Sequence, residues 1–259
     1  MIEVYTLYSG SSGNSIFVRY NNTRLLFDAG RSERAISTSL ASLGESLDRI
    51  SAIFITHEHS DHTSALEVIS KKHSIPVHMT APSYCGYVRA DTFLEKCACV
   101  HDVCYKERVG ELNIRSFPIP HDASQNVGYV IESPEGEKFG IATDIGHLTD
   151  EIVSSLLSCR KVIIESNHDI NMLKNGPYPS FLKARILSDE GHLSNEACAK
   201  LACTLAGGGV ENITLAHLSR ENNTPELAYN QTKRALDMGG FSVTLRVASP
   251  SMCVDAYSK

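Results

Sequence analysis

The sequence has no excess of positive charge: 24 Lys and Arg stand against 30 Asp and Glu, a formal balance of −6. A global basic field is thereby excluded, so any polyanion would have to be held by local patches or by bound cations. No run of about 18 uncharged apolar residues is present, so no membrane-spanning helix is expected. Met1-Ile2-Glu3-Val4-Tyr5 carries no basic, apolar leader, and no cleaved signal is expected. The eight cysteines are scattered, and Cys97-Ala98-Cys99 with Cys104 lacks a second paired cluster. They read as reduced, mostly buried thiols of a cytoplasmic protein rather than as a disulfide framework or a cysteine metal site. Tandem repeats, linkers and low-complexity blocks are missing as well. What remains, 259 residues of which 42% are hydrophobic, is enough for one α/β domain spanning 1–259, built as two similar halves.

The feature that stands out is Thr56-His57-Glu58-His59-Ser60-Asp61-His62, directly after the apolar run 51–55. Three imidazoles and two carboxylates this close together are costly to bury unless something positive satisfies them. Divalent metal is the natural candidate, and neutral imidazole with carboxylate suits Zn, Mn and Fe alike. Two ions fit better than one. His57 and His59 can point the same way from an extended loop, whereas Asp61 and His62 are adjacent and diverge. A solvated His-rich loop is the alternative; the buried strand before it and the helical pattern over 64–72 argue against that.

Other strand ends supply further donors. Residues 2–8 read as a strand, and Ser9-Gly10-Ser11-Ser12-Gly13-Asn14-Ser15 is either a phosphate-cradling loop, with Ser12 and Asn14 as contacts, or a plain hairpin connection. Strand 24–27 runs into Asp28-Ala29-Gly30, an acid placed to orient a metal-binding group. A helix then starts at a Ser32 cap and stops at Gly44. Residues 81–106 are uninformative, and His73 and His78 read as ordinary strand or surface histidines. Strand 111–117 delivers Pro118-Ile119-Pro120-His121-Asp122, where His121 is the leading additional ligand. Strands 127–132 and 138–142 form a hairpin, and the second ends at Asp144, whose two oxygens can each bind one ion. A helix over 149–157 and a strand over 161–164 lead to Glu165-Ser166-Asn167-His168. The stretch 171–190 is locally basic, with Lys174, Lys183 and Arg185 around Tyr178, and is either a polynucleotide contact or a solvated loop and helix. A helix capped by Ser194, strand 213–216 delivering His217, a helix over 224–238 and strand 241–247 complete the chain.

Asp28, His57-Glu58-His59-Ser60-Asp61-His62, His121, Asp144 and His217 occur in the order and at the strand-end positions of the metallo-β-lactamase superfamily, which the whole chain resembles. That resemblance implies a four-layer αββα sandwich of two mixed sheets with helices outside. It implies His57, His59 and His121 as ligands of one ion, Asp61, His62 and His217 as ligands of the other, Asp144 as the bridge, and Asp28 as the residue orienting a ligand.

Glu165-Ser166-Asn167 and Gly191-His192-Leu193-Ser194 resemble the tRNA 3′-processing and β-CASP nuclease branches, in which an acid and a non-ligand histidine assist proton transfer to the leaving oxygen. Glu165 and His192 would be that pair, beside Asp61, which serves both as ligand and in catalysis. Together with the loop 10–15 and Gly176-Pro177-Tyr178-Pro179, these motifs are similar to the short YycJ/WalJ-type group. The implied activity is two-metal phosphodiester hydrolysis, with a hydroxide between the ions as nucleophile, in a DNA 5′→3′ exonuclease acting on single-stranded DNA. No full β-CASP domain fits between Asp144 and His217. The acidic charge balance and the lack of a long gripping arm keep open a small-molecule hydrolase of cyclic phosphodiesters, thioesters or lactones. His168, Lys183, Arg185 and Arg220 are candidate substrate contacts, and a homodimer is left open.

Overall fold

The computed structural model describes residues 1–87, 93–250 and the backbone of 254–257. The chain begins with an antiparallel meander, β1 (Glu3–Tyr8), β2 (Ser15–Tyr20) and β3 (Thr23–Phe27), followed by α1 (Glu33–Ser42). Next come β4 (Ala52–Phe54), α2 (Ser60–Thr63), α3 (Leu66–His73), β5 (Val77–Thr80), α4 (Ala81–Tyr87) and β6 (Ala98–His101), with β3 to β6 mutually parallel. The second half repeats the scheme. β7 (Lys106–Val109), β8 (Leu112–Ile119), β9 (Asn126–Glu132) and β10 (Lys138–Ala142) are antiparallel. After α5 (Asp150–Leu157) come β11 (Lys161–Glu165), α6 (Ile170–Asn175), α7 (Ser180–Ile186) and α8 (Asn195–Gly207), then β12 (Asn212–Ala216), α9 (Pro225–Met238) and β13 (Thr244–Val247). β10 to β13 are parallel, and β14 (Val254–Tyr257) returns antiparallel to β1. The result is two mixed sheets, in the orders β14-β1-β2-β3-β4-β5-β6 and β13-β12-β11-β10-β9-β8-β7.

Alternation along the strands explains the layering. In β3, Leu25 and Phe27 enter the core between the sheets while Leu26 packs outward against Ile36 and Leu40 of α1. In β11, Ile163 faces the other sheet while Val162 and Ile164 meet α5, α8 and α9. Both faces are buried, so these strands read as continuous apolar runs. The intersheet core is held by Phe27, Phe54 and Tyr129, with centroids 5.2–5.7 Å apart. Burial of each aliphatic or phenyl side chain contributes roughly 1.5–3 kcal/mol.

Ser32, Thr149, Ser194 and Thr224 each accept a backbone N–H at a helix start, as their positions in the sequence suggest. Several expectations are corrected. The helix expected over 64–72 is α3, which starts at Leu66 and runs to His73; the turn before it, α2, is tied down separately, with the Ala65 amide donating to Ala29 O at 2.9 Å and Thr63 Oγ1 to His59 O. The last strand begins at Thr244, not 241, since Phe241 packs against the helix ends at Gly207 and Gly239. Edge strand β7 and the short β6 carry no clear pattern and went unread; part of that uninformative stretch, 88–92, lies outside the described residues. Of the described cysteines only Cys159 and Cys198 are buried, so the thiols are not mostly buried.

Candidate metal centre

The carboxyl ends of β3, β4, β8, β10, β11 and β12 converge at one edge of the sandwich, where loops can carry polar groups without breaking either ladder. β3 delivers Asp28, β4 the loop from Thr56, β8 His121, β10 Asp144, β11 Glu165 and β12 His217. Asp28, Asp144 and His217 all adopt left-handed backbone (φ 63°, 58° and 57°), a conformation that is strained for residues with a Cβ and persists where surrounding structure fixes it.

Four of the five histidines of the cluster share one arrangement. His62 Nδ1 donates to Asp28 Oδ2 at 2.8 Å, His121 Nδ1 to Gly191 O at 3.0 Å and His217 Nδ1 to Glu165 Oε1 at 2.9 Å, while His57 Nδ1 lies 3.1 Å from Thr56 Oγ1. With Nδ1 occupied, each Nε2 is left for the cluster. His62 Nε2 is 3.3 Å from Asp144 Oδ2 and 3.5 Å from Asp61 Oδ2, and His217 Nε2 is 3.6 Å from Asp61 Oδ2. Two trios result, His57/His59/His121 and Asp61/His62/His217, each with donor atoms within 4.8 Å of one another. Asp144 joins a group with His57 and His62 and another with His217, which places it between the trios.

The donor set fits divalent metal. His57 Nε2, His217 Nε2 and Asp144 Oδ2 are buried with no hydrogen-bond partner. Leaving three such atoms unsatisfied costs several kcal/mol in total, at roughly 1–3 kcal/mol each, unless a cation occupies the space between them. Electrostatics agree. Burial disfavours a charged His62, yet Asp28 and Asp144 raise its pKa well above the ordinary histidine value. Burial likewise opposes the His217 cation, but Asp144, Asp61 and Glu165 push its pKa up to about 10. A field that holds protons on two buried imidazoles also favours a divalent ion in their place. On the other side, burial followed by the neighbouring histidines keeps His57 neutral, and burial lowers His121. Both are in the form that ligates metal.

Glu165 is fully buried and satisfied by four donors: His192 Nδ1 at 2.8 Å and His217 Nδ1 at 2.9 Å on Oε1, the Ile145 amide at 2.7 Å and the Leu193 amide at 3.0 Å on Oε2. It does not line the cleft, and its side chain meets the cluster only through the two imidazoles it holds. His192 lies on the wall of a cleft of about 230 Å³, beside Asp61, Asp144 and His217. Burial opposes its cation, and Glu165 raises its pKa above the usual value.

The expected substrate contacts fare unevenly. Arg185 lines the cleft but is ion-paired with Asp122. Ser12, Asn14, His168, Lys183 and Arg220 do not line it; Ser11, Tyr178 and Ser219 do. The loop from Ser9 joins β1 to β2, which supports the hairpin reading, and it is committed to the metal loop: the Asn14 amide donates to Asp61 O at 2.8 Å, and Asn14 Nδ2 lies 3.0 Å from His62 Nε2. Lys183 Nζ is turned to Lys174 O, Arg220 is exposed, and His168 is buried with neither ring nitrogen partnered. Asp122, 3.2 Å from His121 Nε2, was missed, although its place next to His121 was the available signal.

A four-layer sandwich with this donor set at the carboxyl ends of its strands defines a metal-dependent hydrolase. The chain belongs to the β-lactamase superfamily: the family model described as a beta-lactamase superfamily domain matches residues 23–217. It is 33% identical over 243 residues to "Exodeoxyribonuclease YycJ" of Bacillus anthracis, covering 92% of this chain and 90% of that one. It is 35% identical over 245 residues to "Exodeoxyribonuclease WalJ" of Streptococcus pneumoniae, covering 90% and 88%. The solved metallo-beta-lactamase fold protein YhfI from Bacillus subtilis shares the fold, with a TM-score of 0.71 at 12% identity over 98% of this chain and 100% of that one. Its enzymatic class is therefore that of metal-dependent hydrolases acting on ester bonds.

Proposed function

We propose that this chain, one domain over its whole length, is a two-metal phosphodiesterase that digests nucleic acid, specifically a 5′→3′ exonuclease on single-stranded DNA. The observation that carries the reading is the His192–Glu165 hydrogen bond on the cleft wall, where the His192 cation is favoured beside the clustered donors. The names of the two relatives support the substrate class.

In this reading His57, His59 and His121 would hold one divalent ion, Asp61, His62 and His217 the other, and Asp144 both. Zn, Mn and Fe all suit these donors. Such ions, when bound, supply a nucleophilic water at neutral pH and neutralise charge on phosphate oxygens. The chain's own residues do the rest. Asp28 fixes the His62 ring, and Glu165 fixes both His217 and His192. His192 gives a proton to the departing sugar oxygen, a role worth roughly 10²–10⁴-fold in rate. Arg185 and Tyr178, which line the cleft, would meet a phosphate and a base in this reading.

One observation favours a small substrate instead: Arg185, the basic residue lining the cleft, is already paired with Asp122. End-labelled single-stranded DNA incubated with Mn²⁺ separates the two. The nuclease reading expects mononucleotides released from the 5′ end, and released roughly 10²–10⁴-fold more slowly by His192→Ala. Intact DNA alongside turnover of a thioester, lactone or cyclic phosphodiester would assign the cleft to small molecules.

A further inference from the structure

A second group of metal-type donors lies away from the cleft, on strands β5, β6 and β7. His78 and His101 come from neighbouring parallel strands at the edge of the first sheet, and Glu107 from the edge strand of the second. One atom from each lies within 4.8 Å of the others, and none of the three lines the cleft. His78 is buried and stacked on Phe54 at 4.6 Å, while the His101 ring is sandwiched between His78 at 5.2 Å and Tyr105 at 4.0 Å. This stack fixes both imidazole planes, and it brings His78 Nδ1 to 2.9 Å from His101 Nε2. Glu107 shares the partly buried face of β7 with Val109, which packs against the intersheet core. Its carboxylate accepts the neighbouring Arg108 amide and enters no ion pair among the described residues.

We propose that His78, His101 and Glu107 form a separate metal centre that takes a divalent ion of the zinc class and ties the free edge of one sheet to the free edge of the other. Two imidazoles and a carboxylate with water as fourth ligand is an ordinary zinc set, with bonds of about 2.0–2.2 Å. Burial, then His101, holds the His78 pKa down to about 4, and burial lowers that of His101, so both imidazoles are already neutral near pH 7, as ligation requires. A hydrogen-bonded path leads inward from the stack: Tyr105 Oη lies 3.1 Å from Tyr129 Oη, which donates at 2.6 Å to Ile55 O, two residues before His57.

The test counts metal. Purified full-length protein is equilibrated with Zn²⁺, freed of excess by gel filtration, and its zinc measured by mass spectrometry beside His101→Ala and Glu107→Gln. Each variant should hold one zinc fewer per chain than wild type. Glu107→Gln keeps the side-chain volume on an edge strand, so a deficit there with an unchanged circular dichroism spectrum reports a lost ligand rather than a lost fold. With one ligand removed from each cleft trio by His57→Ala and His62→Ala, added Zn²⁺ should still raise Tm, and the rise should vanish when His101→Ala is added. Wild-type zinc content in both variants would overturn the proposal.

Discussion

Glu165→Gln is the substitution that separates the roles assigned around the cleft. The carboxylate accepts two imidazole N–H groups on Oε1 and two backbone amides on Oε2. Glutamine has one oxygen and one NH₂, and the NH₂ must face one of those donor pairs. Facing the amides, it leaves Ile145 N and Leu193 N unsatisfied in a fully buried place, at roughly 1–3 kcal/mol each. Facing the imidazoles, it releases His217 and His192. Loss of such an orienting partner lowers metal affinity or activity about 10–100-fold, and an unsupported His192 adds a loss of up to about 10²-fold from proton transfer, the lower end of the general-acid range. Metal affinity by competition with a chelator, and turnover on labelled DNA at saturating Mn²⁺, should both fall. His192→Ala should lower turnover alone, because its Nδ1 bond to Glu165 can vanish without touching the His217 bond. Glu165→Gln with metal affinity and turnover both within twofold of wild type would refute the reasoning.

Gly30→Ala tests the seam between the loop after β3 and the metal loop: a Cβ there would lie 1.6 Å from Asp61 O and 2.7 Å from Asn14 N, both backbone atoms. A loss of about 3 kcal/mol, or roughly 6–12 °C in Tm, should accompany reduced metal content, and unchanged melting would contradict the packing account. His168, buried and without a hydrogen-bond partner, has its pKa lowered by burial to about 4, from 6.5. The unfolded chain therefore binds a proton that the folded chain refuses between pH 6.5 and 4, so stability is full above that window and falls with pH by about 1.4 kcal/mol per unit. Urea unfolding of His168→Leu should show that slope reduced by about one proton, whereas an unaltered slope would place the titration elsewhere. In the metal-loaded protein, protons compete for His62 and His217, whose pKa values are raised, more strongly than for His57 and His121, whose values are lowered. Acidification should release the two ions in sequence, and metal counts that drop in one step would argue against two unlike trios.

Much of the centre was legible because its residues are the strand-end kind. Asp28, His121, Asp144 and His217 each follow an apolar run, and their order is that of the superfamily the chain resembles, which implied that they gather at one site. The substrate side was not legible. Whether a lysine or arginine reaches a cleft depends on the packing of short helices such as α7, and neither Lys183 nor Arg220 carries a local signal of where it ends up. Arg185 could be placed by neighbourhood, but its pairing with Asp122 joins residues 63 apart in sequence. The Ser9–Ser15 loop stayed ambiguous for a related reason. Its glycines suit an anion cradle, and equally suit the close approach of two backbones, which is the use it has here. His78 looked like an ordinary strand histidine, because its partner His101 lies in a stretch with no periodicity and Glu107 in a strand of the other sheet.

The central claim is that two divalent ions in the cleft run phosphodiester hydrolysis. Metal-free protein carrying His101→Ala, so that only the cleft's ions are counted, is titrated with Mn²⁺ while nucleotide release from 5′-labelled single-stranded DNA is followed. The account predicts little release up to one equivalent and a rise that completes with the second, lost in Asp144→Ala. Full activity with one equivalent, or hydrolysis that persists in excess chelator, would contradict it.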